Sequence, residues 1–294
     1  MHSPGLRVAV ATAGGRPRTV LVALMALTRI RTCVAGAVLC VAGARVGGGP
    51  EGSEAVAFAA ASIACLIAFA QVVNDVVDRE LDAATKPFRP LPAGAVSPPA
   101  AKCLAGACGA AGLALALPVP RLLPFAALLL VLAWAYSLVW KQTVFLGNAV
   151  VAGLASCSVS YGAVACGATP PAVFGMQAAV FSFALAFEVL KTAIDADGDA
   201  AAGLRTAATR LGVRTTALVA AGLGGIASIV IFLPALMVEQ PVPYAVAVGL
   251  GTALPTLVAV SILIRHGHTP ADLAGPHRLL RAAWGAGVVS LLLL

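Results

Sequence analysis

The sequence predicts an all-α integral membrane protein, a bundle of nine transmembrane helices with a cytoplasmic N-terminus. Three observations lead there. Of 294 residues, 60% are hydrophobic and only 11% are charged, with a mean hydropathy of +0.97; a soluble chain carries roughly 25% charged residues. The apolar residues gather into runs close to the roughly 20 residues that a helix needs to cross a hydrocarbon core. The Lys and Arg residues between the runs fall almost wholly on one side. A soluble domain, a disordered chain and a disulfide scaffold are excluded. The formal net charge of +7 then reflects the bilayer, and no nucleic-acid partner is expected.

The first run covers about 30–48 and stops at Gly47-Gly48-Gly49-Pro50. The second, 54–76, passes into charged sequence without a breaker, so its helix is expected to outrun the hydrocarbon. The third, 99–117, ends at Pro118-Val119-Pro120, and the fourth, 122–140, ends at Lys141. The fifth, 144–166, is closed by the segment from Gly167 to Pro171. The sixth, 171–193, repeats the second by continuing into polar residues. The seventh covers 212–234, the eighth opens after Pro241 and covers 243–264, and the ninth covers 278–294.

Alternating these spans across a membrane puts every Lys and Arg except Arg45 and Arg121 on the side of the N-terminus. That side is therefore the cytoplasm, with the protein multi-pass in the cell membrane. Residues 1–28 are expected as a flexible and interfacial segment, with a short helix near 19–28, ahead of one domain over 29–294. A cleaved signal peptide is the competing reading of the N-terminus, and Arg29 and Arg31 interrupt the apolar run it would need. Seven cysteines lie in apolar stretches without a CxxC pair. They read as small packing residues.

The acids carry the functional signal. Of 12 Asp and Glu, only Glu51, Glu54, Glu239 and Asp272 lie outside two short windows at the cytoplasmic ends of the second and sixth spans. Acidic groups at membrane depth are costly and point to function. In Asn74-Asp75-Val76-Val77-Asp78-Arg79-Glu80-Leu81-Asp82, the residues Asn74, Asp78 and Asp82 share one helix face at i, i+4 and i+8. Three oxygen donors in a row suit Mg²⁺, which keeps several waters and takes its other ligands from a phosphate. The bland alternative is a solvated acidic helix end balanced by Arg79. In the second window Asp195 and Asp199 share a face while Asp197 points to water, and Gly198 leaves backbone freedom. Two such faces can hold two Mg²⁺ ions around one diphosphate.

Basic residues flank both windows. Lys86 and Arg89 sit in the stiff segment Lys86-Pro87-Phe88-Arg89-Pro90-Leu91-Pro92-Ala93-Gly94. Lys141 ends the fourth span, Lys191 precedes the second acidic face, and Arg205 follows it. Each reads either as a stabiliser of a leaving diphosphate or as a positive-inside anchor.

Asn74 to Asp82, followed by Arg89-Pro90-Leu91-Pro92-Ala93-Gly94, resembles the NDxxDxxxD motif and RPLPSG-type loop of the UbiA superfamily of membrane prenyltransferases. Asp195 and Asp199, followed by Gly203 and Thr206, resemble the DxxxD motif of that superfamily. Tyr136-Ser137, Lys141 and Gly147-Asn148 resemble its YS…K…GN stretch. The likeness runs from about residue 29 onward. It implies a helical bundle around a central cavity that opens laterally to lipid, capped by the two acidic loops. It also implies Mg²⁺-dependent ionisation of a prenyl diphosphate, whose allylic cation attacks a hydrophobic or aromatic acceptor. On this resemblance Asn74, Asp78 and Asp82 are ligands of one Mg²⁺, and Asp195 and Asp199 of the other, as the catalytic set. Lys86, Arg89, Lys141 and Lys191 are the implied diphosphate contacts.

The chain departs from the pattern at Thr192, where relatives with a KDxxD form carry Asp. That puts the acceptor in doubt. The leading reading is prenyl transfer to an aromatic or lipid-like acceptor, and the alternative is a terpene cyclase on the same scaffold that needs no acceptor. A transporter or scaffold is the reading from another class, and it would keep prenyl diphosphate turnover unchanged in Asp78→Ala and Asp195→Ala. His266, His268 and His277 read as exposed cytoplasmic histidines, with a catalytic base as the alternative. The small-residue run from Gly147 to Gly153 reads as room in the bundle or as close helix packing.

Overall fold

The computed structural model describes residues 17–48, 54–141 and 143–294. Expectations for residues 1–16, and for the Gly49-Pro50 turn with Glu51, lie outside the described residues. Every regular element among the described residues is helical. The elements are α1 (Pro17–Leu27), α2 (Ile30–Val46), α3 (Glu54–Val77), α4 (Arg79–Thr85), α5 (Pro98–Ala116), α6 (Leu123–Ala135), α7 (Leu146–Cys166), α8 (Pro171–Ile194), α9 (Ala196–Ala201), α10 (Ala207–Leu211), α11 (Val213–Val230), α12 (Val242–Val248), α13 (Leu254–His266) and α14 (Ala274–Ser290).

Among the described residues, seven helical segments are long and apolar enough to cross a membrane, and an eighth counts if α1 and α2, bent by 51°, form one broken span. The expected ninth crossing falls on α14, whose 17 residues carry Arg278 and Arg281 and fall short of that standard. It nevertheless packs against α13, α12, α8 and α2, so it closes the bundle. Two spans hold single π-helical turns, Tyr136–Trp140 after α6 and Gly249–Ala253 between α12 and α13. Apolar periodicity does not separate a π turn from an α turn, so neither was expected.

Small residues set the helix spacing where hydrophobic burial alone cannot drive association in lipid. At the crossing of α2 and α7, a Cβ on Gly43 would overlap the carbonyl of Val159, and one on Gly162 would overlap the carbonyl of Cys40. Both obstacles are backbone, so neither can swing aside. Gly162→Ala is expected to cost about 2 kcal/mol through overpacking, read as a lower melting temperature in detergent. Gly225→Ala, where nothing lies within 4 Å of the new Cβ, is expected to melt as the unsubstituted protein does. All seven cysteines are free thiols.

The second and sixth spans outrun their apolar sequence, and they do so in the same way. α3 and α8 each have 24 residues and each stops at an aspartate in the bridge region, Asp78 at φ −82°, ψ 2° and Asp195 at φ −84°, ψ 4°. A short helix then follows, α4 or α9. Backbone hydrogen bonds run through both joints, from Asp78 N to Asn74 O and Asp82 N to Asp78 O, and from Asp195 N to Lys191 O and Asp199 N to Asp195 O. The four-residue register of each acidic window therefore survives the bend.

Candidate active site

Three carboxylates of the first window are buried, Asp75 at 4%, Asp78 at 7% and Asp82 at 3% exposure. A buried unpaired carboxylate costs several kcal/mol, and each of these three has a cation. Arg29 donates to Asp75 at 2.9 Å, Arg89 donates to Asp82 at 2.5 Å and approaches Asp75 at 3.4 Å, and Lys141 donates to Asp78. Asn74 Nδ2 donates to Asp78 Oδ2 at 2.9 Å, which leaves the Asn74 carbonyl oxygen beside the carboxylates. Asp75 lies off the face of Asn74, Asp78 and Asp82, as its spacing implies, and serves to hold two arginines. Arg79, which the bland reading made the balancing charge, is exposed.

Arg89 is fixed from behind. Leu91 and Val96 are buried with Val72, Ala101 and Ala105, and Gly94 takes φ +72° so that the loop can turn back onto Pro90. The stiff segment thus points one guanidinium at two carboxylates.

The second window is more open. Lys86 donates to Asp195 at 2.8 Å and so ties the two windows together across 109 residues of sequence. Burial pushes the Asp199 carboxyl above the usual carboxylate range. The Thr206 hydroxyl opposes that shift, the Asp195 charge adds to it, and Lys86 and Lys141 oppose it. Lys141, bound to Asp78 of the first window, is therefore also felt at Asp199 of the second. Tyr136 lies in the fields of Glu188, Asp78 and Arg29, again between the windows. Asp197 is exposed. Gly198 sits against Thr85 of α4, where an added Cβ would lie 3.1 Å from Thr85 Cγ2. Its small size lets α4 and α9 meet, which is a packing reason and not the backbone freedom that the sequence suggested.

Of the expected diphosphate contacts, Lys86, Arg89 and Lys141 converge on the acids, while Lys191 turns to Glu188, with both carboxylate oxygens at 2.8 Å. Thr192, at the departing position, accepts from Asn148 Nδ2 at 3.0 Å and donates to the Glu188 carbonyl at 3.2 Å. A neutral hydroxyl, engaged as both donor and acceptor, thus stands where the KDxxD form of the pattern has a carboxylate. Arg205 is exposed.

Two residues here escaped the sequence reading. Arg29 counted there only as a positive-inside anchor, yet it sits in the left-handed region at φ 48°, ψ 58° between α1 and α2. That conformation costs a non-glycine residue about 1 kcal/mol and aims its side chain at Asp75. His277 was expected in water with His266 and His268. Those two are exposed, but His277 stacks on Phe187 with ring centroids 5.0 Å apart, and its Nε2 is buried without a hydrogen-bond partner. The misreading has a plain cause. The helix starts at Ala274, not near 278, so His277 is drawn into the bundle.

Among the described residues no three His, Cys, Asp or Glu side chains converge tightly enough to complete a metal shell by themselves. The donor set nevertheless fits Mg²⁺, because it offers hard oxygens in pairs and leaves coordination positions for water and phosphate. Four cations against five carboxylates and one amide leave the site close to neutral, so bound metal ions would supply the positive charge that a multiply charged anion needs.

A family model described as the UbiA prenyltransferase family matches residues 30–284. Digeranylgeranylglyceryl phosphate synthase of Natronomonas pharaonis is 36% identical over 222 residues, covering 75% of this chain and 77% of that one. The protein of the same name from Methanopyrus kandleri is 34% identical, covering 76% and 78%. In fold, the chain is similar to a UbiA homolog from Archaeoglobus fulgidus bound to GPP and Mg²⁺, with a TM-score of 0.67 at 19% identity over 91% of this chain and 99% of that one. Spanning helices, paired acidic windows and these likenesses agree, and the chain belongs to the UbiA prenyltransferase family as a multi-pass membrane enzyme.

Proposed function

We propose that this enzyme transfers an isoprenyl group from a prenyl diphosphate to a lipid-like or aromatic acceptor within the membrane, through an allylic carbocation, with both acidic windows at the cytoplasmic face. The observation that carries this reading is the Lys86–Asp195 contact, because it makes one site out of two windows. Asn74, Asp78 and Asp82 would hold one Mg²⁺, and Asp195 and Asp199 the other. When bound, the ions supply positive charge against the diphosphate.

The protein's own groups do the rest. As the bond between the allylic carbon and the diphosphate oxygen breaks, its electron pair stays on the diphosphate. Lys86, Arg89 and Lys141, already gathered by the carboxylates, donate hydrogen bonds to that growing charge. Lys191 joins them by turning from Glu188. Arg29 and Asp75 hold Arg89 in place. The allylic carbon then bonds to the nucleophilic atom of the acceptor, whose proton passes to the departing diphosphate. The names of the relatives favour a glyceryl phosphate lipid as acceptor over an aromatic ring.

Lys86→Met is expected to lower turnover about tenfold or more, since it removes both a phosphate contact and the link between windows. Steady-state release of diphosphate measures it, and an unchanged rate would remove Lys86 from the site. The reading as a whole is tested by incubating the enzyme with Mg²⁺ and prenyl diphosphates of graded length, with and without glyceryl phosphate lipids and aromatic acceptors. Products that contain the acceptor are expected. A hydrocarbon or terpene alcohol made without any acceptor would replace transfer by cyclisation.

A further inference from the structure

One apolar cavity lies deeper in the bundle than the acidic site. It measures about 30 Å³ and is lined by Ala179 and Val180 of α8, Ile231, Val248 of α12, and Gly287 and Val288 of α14. The two hydroxyls on its wall are already spent, Tyr244 on the Ile231 carbonyl and Thr252 on the Ala283 carbonyl. Apart from the Trp284 indole N–H, the wall offers no free polar group, so hydrocarbon is the occupant it suits.

Between the acidic site and this cavity the seam of α8 and α14 is crossed by two ring pairs. Phe187 stacks on His277, beside Glu188 and Lys191, with centroids 5.0 Å apart. One turn deeper, Phe183 meets Trp284 at 5.7 Å and an interplanar angle of 32°. Both members of that second pair also line the cavity. By the rise of an α-helix, Phe183 lies about 18 Å along α8 from Asp195. An apolar tail anchored by its diphosphate at the acidic windows and running down this seam reaches the Phe183–Trp284 pair before it reaches the cavity.

We propose that the Phe183–Trp284 pair is the stop that limits prenyl tail length, and that the apolar cavity beneath it is the space a longer tail enters when the stop is trimmed. This rests on the reading of a prenyl diphosphate as the substrate. The cavity wall then sets selectivity by shape alone, where each added or missing group in an apolar pocket changes affinity by about 10- to 200-fold.

The test is Mg²⁺-dependent binding of farnesyl, geranylgeranyl and geranylfarnesyl S-thiolodiphosphates, which do not ionise readily, to the purified full-length protein. Unsubstituted protein is expected to gain affinity with length up to a limit and to lose it beyond. Trp284→Ala should move that limit outward by at least one isoprene unit, with the first excluded analogue gaining about tenfold in affinity. Trp284→Phe, which keeps a ring at the seam, should leave the limit in place. Phe183→Leu trims the stop from the other side and should act as Trp284→Ala does, which covers the case in which that variant does not fold. An unchanged length profile in folded Trp284→Ala or Phe183→Leu protein, with the analogues still binding, overturns the stop and leaves the prenyl diphosphate reading standing. Failure of unsubstituted protein to bind any analogue with Mg²⁺ overturns that reading, and the stop with it.

Discussion

Asp78→Asn is expected to lower prenyl diphosphate turnover by about a thousandfold. The substitution is nearly isosteric, so the bundle should stay intact. What changes is charge at a buried position, 7% exposed, where the carboxylate meets Asn74 and Lys141. Removing it weakens any cation held between Asn74 and Asp82 and releases Lys141 from its partner. A free Lys141 can still meet the diphosphate, so substrate binding should suffer less than the chemical step. Single-turnover and steady-state kinetics on protein of unaltered melting temperature separate these effects. A rate within tenfold of the unsubstituted enzyme would show that Asp78 holds no ion.

The second large effect is a contrast inside three neighbouring aspartates. Asp195→Asn and Asp199→Asn are each expected to cost about a hundredfold or more in turnover, whereas Asp197→Asn should leave it within twofold, as for a surface change. The reason is orientation. Asp195 meets Lys86 and Asp199 is half-buried, while Asp197 is exposed. The double variant Asp78→Asn/Asp195→Asn should be little worse than either single one, because groups that act as a unit do not add. Diphosphate release at saturating Mg²⁺ reads all four. A full loss in Asp197→Asn, or none in Asp199→Asn, would mean that the second window is assigned to the wrong face.

The two acidic helix faces were legible in the sequence because each is local. Asn74, Asp78 and Asp82, or Asp195 and Asp199, are brought together by helical period alone, and that period survives the bends at Asp78 and Asp195. The span limits were legible for a similar reason, since apolar runs end at Pro and Gly whatever the tertiary structure. Contacts over long sequence distances were not. Arg29 lies 46 residues from Asp75 and Lys86 lies 109 from Asp195, and no spacing rule connects them. The one available hint for Arg29 was its place beside Arg31 at the start of the first span, where a positive-inside anchor explains it equally well. His277 was misplaced by an error of a few residues in where the last helix begins. Gly43 and Gly162 carry no local signal of their own, and what they and Gly198 meet depends on the packing of α2 on α7 and of α4 on α9.

The central claim is that both acidic windows form one Mg²⁺-dependent diphosphate site. The most direct measurement is calorimetric binding of geranylgeranyl S-thiolodiphosphate with Mg²⁺ to the unsubstituted protein, to Asp78→Asn and to Asp195→Asn. One analogue bound per chain is expected, dependent on Mg²⁺ and weakened at least tenfold by either substitution. Binding that persists without Mg²⁺, or that is weakened by one substitution and untouched by the other, would contradict a shared site.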